Sequence, residues 1–338
     1  MKKLMMTVPA FIVTMCLGAT VETVDSSPVA EGGDYIKRIT IDEHNWSYIH
    51  VFTNSSVAKI FKRTANWPFN VRYLVVGGGG AGGDGYVNYG GGGGGGGGVV
   101  EASGVAFPSG SSWTVRVGKG AVVQSTQAGE SSISNGDEEI CTVPGGGSGG
   151  RNSSSGYIEA VVGAAGGGGA MGNNAGAAGS FASHVLGMLP PLSGYSGGNP
   201  LSFASGGGGG AGATGGAAYA SSGQLVGGSG GEGLASDITG ELFVYGSGGG
   251  GGSLNGGSNY GPGGLGGTNA GNGGGVVGKS ATESGTVVQA TLPVANSGAG
   301  GGGGLGTNSK SGTMGADGIV VIRYDYSPVD SGLMLIFR

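Results

Sequence analysis

Val71-Arg-Tyr-Leu-Val-Val-Gly-Gly-Gly-Gly80 decides how this chain is to be read. An apolar, β-branched run passes into glycine with no turn between them. Glycine then dominates until a second apolar run, Gly318-Ile-Val-Val-Ile-Arg-Tyr324. The field in between includes nine consecutive glycines at 90–98, and the chain holds 88 glycines in 338 residues, against about 7% in ordinary proteins. Ordering a residue costs about 1–2 kcal/mol of backbone entropy, and glycine sits at the high end with no side chain to bury in return. Such a field is either a flexible spacer or a structure held by backbone hydrogen bonds at close range. Composition points to order: 37% of residues are hydrophobic and 10% charged, whereas disordered segments are poor in apolar residues and rich in charge.

Two regular solutions exist for long glycine runs. A collagen triple helix needs glycine at every third position and abundant proline, and with only 11 prolines and no strict period that solution is out. The other is a bundle of polyglycine-II helices, left-handed like polyproline II. Each has three residues per turn, no internal hydrogen bonds and a rise of about 3.1 Å, so run 90–98 would span about 28 Å. The expected fold is therefore mostly β and irregular: short strands framing a polyglycine-II bundle, with almost no α-helix. Glycine at this density penalises a helix by about 1 kcal/mol per residue relative to alanine.

Working outward, the chain divides into five parts. Residues 1–19 carry Lys2 and Lys3, an apolar run at 4–17 and then small residues, the order of a secretory signal peptide. That run is short for a membrane span, and the mature chain is expected to have none. Residues 20–33 read as a polar linker. Residues 34–76 read as a small β region, with strands at Tyr35-Ile-Lys-Arg-Ile-Thr-Ile41, Trp46-Ser-Tyr-Ile-His-Val-Phe-Thr53, Val57-Ala-Lys-Ile-Phe61 and Asn70-Val-Arg-Tyr-Leu-Val-Val76. Residues 77–318 are the glycine-rich domain, broken by strand-like bursts such as Ser112-Trp-Thr-Val-Arg-Val117 and Glu241-Leu-Phe-Val-Tyr245. Residues 319–338 are a closing strand and a tail.

The punctuation of the field resembles the glycine-rich domain proteins of bacterial surfaces and secretions and of phage tails and adhesins. The resemblance rests on Tyr73-Leu-Val-Val-Gly-Gly-Gly-Gly80, on run 90–98 leading into Val99-Val-Glu101, on Trp113-Thr-Val-Arg-Val-Gly118, and on Gly318-Ile-Val-Val-Ile-Arg-Tyr324, and it spans about residues 45–324. It implies a non-catalytic structural or adhesive module; related phage adhesins carry polyglycine-II sandwiches whose exposed loops touch the host. The expected localisation is secreted or cell-surface, with a virion as the alternative. The expected partners are a surface glycan or a host surface protein, with self-association as a further option. The leader-like N-terminus departs from a typical tail protein and favours cellular export.

The chemistry of an enzyme is not legible here. No catalytic, cofactor or metal residues are assigned, and no cofactor is expected. Gly273-Gly-Gly-Val-Val-Gly-Lys-Ser280 matches a P-loop letter for letter, but a P-loop needs a preceding strand and a following helix, and glycine comes free in this background. No nucleotide is expected, and a net charge of −5 argues against nucleic acid. The six basic residues between Lys37 and Arg72 read as solvated strand faces. His44, His50 and His184 show no metal-ligand spacing, and Asp137-Glu-Glu139 reads as a solvated turn. Cys141 is left as the one thiol of a processed chain. Tyrosines flanked by glycine or serine, among them Tyr86 and Tyr89, read as caps on glycine helices. Tyr195, Tyr219 and Tyr260 are the candidate contacts, with loop 186–200 as the best placed segment, because aromatic rings on rigid supports suit recognition of sugars.

Overall fold

A computed structural model describes residues 20–65, 70–108, 110–122, 126–153, 156–170, 175–180, 184–185, 194–253, 261–272, 275–277, 286–306 and 311–327. Among these there is no α-helix. The first ten strands are β1 (Thr20–Val24), β2 (Ala30–Glu31), β3 (Tyr35–Thr40), β4 (Trp46–Phe52), β5 (Lys59–Arg63), β6 (Asn70–Val76), β7 (Val99–Ala106), β8 (Ser112–Arg116), β9 (Ser131–Asn135) and β10 (Glu138–Val143). They are followed by β11 (Arg151–Ser153), β12 (Gly156–Ile158), β13 (His184–Val185), β14 (Tyr219–Ser221), β15 (Gln224–Val226), β16 (Leu234–Ser236), β17 (Phe243–Tyr245), β18 (Gly275–Val277), β19 (Thr286–Val288) and β20 (Ile319–Tyr326).

Two antiparallel sheets form the base. One has the order β1-β3-β4-β20-β6-β7 and the other β13-β10-β9-β8-β5-β2. Alternation sorts their side chains. Phe52, Tyr73, Val75, Val320, Ile322 and Tyr324 of the first sheet pack with Phe61, Trp113, Val115, Ile133 and Val143 of the second. Ile49, Val51, Leu74, Val76, Ile319 and Val321 point the other way, onto Ile238 and Tyr245. The central strands are thus buried on both faces, which is why they read as continuous apolar runs.

Residues 20–33 are not a linker: Thr20–Val24 pairs with β3 over five residues and Ala30–Glu31 pairs with β5. As an exposed edge, β1 keeps a polar outer face, and that made it look like loop. Nor is 34–76 a sheet of its own, since β5 belongs to the opposite sheet and β20, from the C-terminal end, lies between β4 and β6. Arg63 is no solvated residue either. It is buried, donating from Nε to the Ala65 carbonyl and from Nη1 to that of Phe107.

The glycine field grows from the strand ends without losing their pairing. Val76 faces Val99 in the β6–β7 ladder. In unchanged register, the amide of Gly77 then donates to Gly98, Gly80 to Gly95 and Gly83 to Gly92. Likewise Ile319 faces Val76, and the amides of Gly79 and Gly82 donate to Ala316 and Thr313. A ladder of period two has become one of period three. Each residue now turns by about 120°, so the groups between rungs reach other segments.

Run 90–98 shows the result in full. The amides of 90, 93 and 96 donate to the carbonyls of Phe203, Gly206 and Gly209; those of 91, 94 and 97 to Gly304, Gly301 and Gly298; those of 92, 95 and 98 to Gly150, Gly147 and Pro144. Its carbonyls accept in the same rotation from 77–83, from 165 and 168, and from 249 and 252. Six segments surround it at donor–acceptor distances of 2.8–3.2 Å. This is the expected polyglycine-II bundle.

A β-carbon has no room there. Built on Gly94 it would lie 2.1 Å from the carbonyl oxygen of Gly80, and on Gly208 2.0 Å from that of Gly94. Outer segments are different. In 226–233, Ser229 and Glu232 fall three apart and both are exposed, while Gly227, Gly228 and Gly231 are buried.

His50 sits in the base, fully buried, against Phe61 and Tyr324. Its Nδ1 lies 2.7 Å from the Gly32 carbonyl, which can only accept, so Nδ1 carries the hydrogen. The bare Nε2 faces Ser27 Oγ at 3.2 Å. Ser27 in turn donates to the Ala30 carbonyl and accepts from Tyr324 OH at 2.8 Å. Burial drives the imidazole pKa down to about 4.

Two outcomes follow. Gly94→Ala or Gly208→Val should cost at least about 1–3 kcal/mol in denaturant unfolding, the range of overpacking, whereas Ser229→Ala stays within about 0.5 kcal/mol. A depressed base binds fewer protons folded than unfolded, so its contribution is whole above pH 6.5 and lost as pH falls towards 4. His50→Gln should remove that part of the acid destabilisation, about 3 kcal/mol, from a pH series of unfolding free energies.

Candidate functional site

The segments run between the β-sandwich and a far end, where the chain turns back. Loop 84–89 joins 77–83 to 90–98, the β11–β12 hairpin follows 144–150, and turn 200–204 leads into 205–210. The β14–β15 hairpin follows 215–218. The first three touch: the amide of Gly90 donates to the Phe203 carbonyl, that of Asn152 to Asp84, and the rings of Tyr89 and Phe203 lie 5.1 Å apart. The β14–β15 hairpin is tied in through Ser253 Oγ, which donates to the Leu225 carbonyl, and through the Ala218 amide, bonded to Asn199.

Unfavourable local features collect at this end: of the non-glycine residues at positive φ among the described residues, Asn269 and Asn296 lie towards the sandwich, where asparagine tolerates the left-handed region, and the other three lie here. Tyr86 and Tyr89 bridge across a two-residue turn whose first member, Val87, has φ +53°. Turns of that kind ask for glycine there, and a β-branched residue in the left-handed region costs about 1–2 kcal/mol. Leu201 and Ala204 bridge in the same way over Ser202 at φ +54°, and Ser222 has φ +50° in the β14–β15 turn. Among the described residues, the buried side-chain polar atoms with no partner are Arg151 Nε and Asn152 Oδ1, both on the β11–β12 hairpin. Each such atom costs about 1–3 kcal/mol. Val87, Tyr157, Leu201 and Tyr219 stand exposed around them.

Of the three tyrosines expected as contacts, Tyr219 and Tyr195 are not brought together. Tyr219 is on the far end, 53% exposed. Tyr195 is 40% exposed but lies on the flank: its carbonyl accepts from Gly166, while Ser196 and Asn199 line up with Gly215 and Ala218 in parallel. Tyr219 is therefore further along the axis by about five residues, or about 15 Å. Tyr260 and most of loop 186–200 lie outside the described residues. Tyr157, which the sequence reading did not single out, is an exposed aromatic of the far end that was missed. Its signal was the polar Arg-Asn-Ser-Ser-Ser-Gly stretch at 151–156, which makes a hairpin rather than another glycine segment.

The remaining chemistry is quiet. Gly275–Val277 of the P-loop look-alike pairs with Thr286–Val288 as a hairpin strand, and Lys279 lies outside the described residues. Cys141 is a free thiol in the core, its pKa pushed up to about 12 by burial and by Glu139. Among the described residues no cluster of His, Cys, Asp and Glu could hold a metal, and no helix is long and apolar enough to cross a membrane.

Replacing the strained turn residue tests the reading of this end. Val87→Gly should raise unfolding free energy by about 0.5–1 kcal/mol, once glycine's own entropy cost is set against the released strain. A neutral or destabilising result in denaturant melts would mean that the turn is unstrained.

Comparison with known proteins agrees with the architecture. No curated protein matches the chain. The profile of the glycine-rich domain family matches residues 58–325, from the edge of β5 to the end of β20. The entry and exit motifs and the whole bundle lie inside that match, and the chain belongs to the glycine-rich domain family.

Proposed function

We propose that this protein is an exported, non-catalytic structural protein of a cell surface or extracellular assembly. In this reading the bundle is a rigid stalk that holds its far-end loops away from the β-sandwich. The observation that carries it is the gathering of strain and unpartnered polar atoms at Val87, Ser202, Ser222, Arg151 and Asn152, on the same end as exposed Tyr157 and Tyr219. Proteins keep unfavourable local features where contact or chemistry needs them. The partner suited to tyrosine rings on rigid turns is a surface glycan or a surface protein. The leader-like residues 1–19 support export.

A second reading has the same loops on a virion or tail-fibre adhesin, touching a host surface. Both use one interface and differ in processing. Intact mass of the natural protein separates them: a chain beginning near Thr20 supports cellular export, and an intact Met1 in purified particles supports the virion. For the interface itself, labelled protein is titrated onto bacterial cells. The double variant Tyr157→Ala, Tyr219→Ala should lose at least about tenfold in apparent affinity, as for removal of central aromatic anchors, with an unchanged melting temperature. Equal binding by the variant would remove the far end as the contact surface.

A further inference from the structure

The opposite end of the molecule carries a second feature, independent of the far-end loops. In the two large sheets the edge strands are β1 and β7, and β13 and β2. An edge strand invites further pairing unless it is short or irregular. β13 and β2 are two residues long, and β7 is broken by a register shift between Val71 and Tyr73 of its partner and by Gly104 at φ +70°. β1 has neither protection. Its five residues pair with β3 without a break, and its single charge, Glu22, is taken up by Arg38.

Apolar groups stand at this edge on both faces of the sheet. On one face, loop 237–242 reaches β1: a β-carbon on Gly240 would lie 3.2 Å from Val21 Cγ2. Val21 is nevertheless 38% exposed, and Leu242 of that loop 76%. On the other face Val24 packs against the sandwich core. It also lines an open cleft of about 550 Å³ between β1 and β2, together with Asp25, Ala30 and Ile36. Asp25 has no ion pair among the described residues.

The chain itself holds a segment of matching length. β20 ends at Tyr326, which faces Trp46; Trp46 faces Thr40, and Thr40 faces Thr20. The chain therefore leaves β20 at the end of the sheet where β1 starts. Next come Ser327-Pro-Val-Asp-Ser-Gly332 and then Leu333-Met-Leu-Ile-Phe-Arg338, of which 328–338 lie outside the described residues. A position outside β1 is four strand spacings from β20, about 19 Å, and six residues reach about 20 Å.

We propose that Leu333–Phe337 adds to the sheet of its own chain as a strand parallel to β1. Five apolar residues then lie along the five of β1. By alternation, Met334 and Ile336 share the face of Val21, while Phe337 takes the face of Val24 and turns to the cleft. Arg338 arrives beside Asp25, so the charges match as well as the lengths.

The test is amide-resolved hydrogen exchange and NMR on the full chain. The β1 amides that turn away from β3 should exchange at least about tenfold more slowly in the wild type than in Leu335→Pro, because proline cannot continue a ladder. The double variant Met334→Asp, Ile336→Asp should speed the same amides, and in both variants the amides of β4 and β20 should keep their protection. In a mixture of differently labelled chains, backbone contacts between Thr20–Val24 and Leu333–Phe337 should arise within one chain. Equal exchange of the β1 amides in the wild type and both variants overturns the proposal. So do contacts that cross from one labelled chain to another, which would assign a second copy to this edge, or contacts of Leu333–Phe337 with β7 instead.

Discussion

The structure depends on backbone groups satisfying one another at a separation that no side chain permits. In run 90–98 the amide of every residue, and the carbonyl of each from Gly91 to Gly96, finds a backbone partner on a different neighbour in a rotation of three. The segments can approach closely enough for this only because a β-carbon would lie on a carbonyl oxygen, as at Gly94 or Gly208. Ordinary domains gain most from burying apolar surface. Here the interior of the bundle has little to bury beyond scattered alanines such as Ala81, Ala165 and Ala299 and the side chain of Leu305, and its order rests on hydrogen bonds of about 0.5–1.5 kcal/mol each together with dense backbone contact. Against them stands the high entropy of unfolded glycine.

That balance explains why a β-sandwich is built onto the bundle. Loops between weakly nucleating segments are costly to close, and the sandwich closes several at once. β6, β7 and β10 deliver residues 77–83, 90–98 and 144–150 already side by side, and β20 receives 311–318 in register. The apolar core of Phe52, Tyr73, Trp113 and Tyr324 supplies what the glycine lacks. Sandwich and bundle are one ladder whose period changes at Val76. In chemical terms the sandwich is an anchor and the far end is where local strain is tolerated, because the rigid segments beneath over-determine the turns.

Much of this was legible from residue order. The abrupt step from Val76 to Gly77, the absence of helical period and the unbroken run 90–98 lead to short strands and polyglycine II, because glycine's missing side chain leaves few alternatives. Strands with two buried faces, such as β6 and β20, announce themselves as apolar runs. Strand β1 did not: an exposed edge buries little beyond part of Val24 and looks like any polar segment. The assignment of β5 to the opposite sheet was equally hidden, since strand propensity says nothing of partner. At the candidate site Tyr219 was anticipated and Tyr157 was not. A tyrosine's exposure depends on which end of the bundle its segment reaches, and that is a matter of parity in the path rather than of neighbours in sequence.

Sequence alone determined the material: glycine helices where glycine is continuous, strands where β-branched residues gather, and side chains at every third position where a segment has a free side. Local sterics and the backbone's need for partners suffice for that. Tertiary structure decided which segments are neighbours, which of them run parallel, and which turns share the far end. Those choices follow from long-range pairing, Val76 with Val99 and with Ile319, and a homogeneous run of glycine carries no register of its own. Only the flanking strands, whose side chains must face the core, could set it.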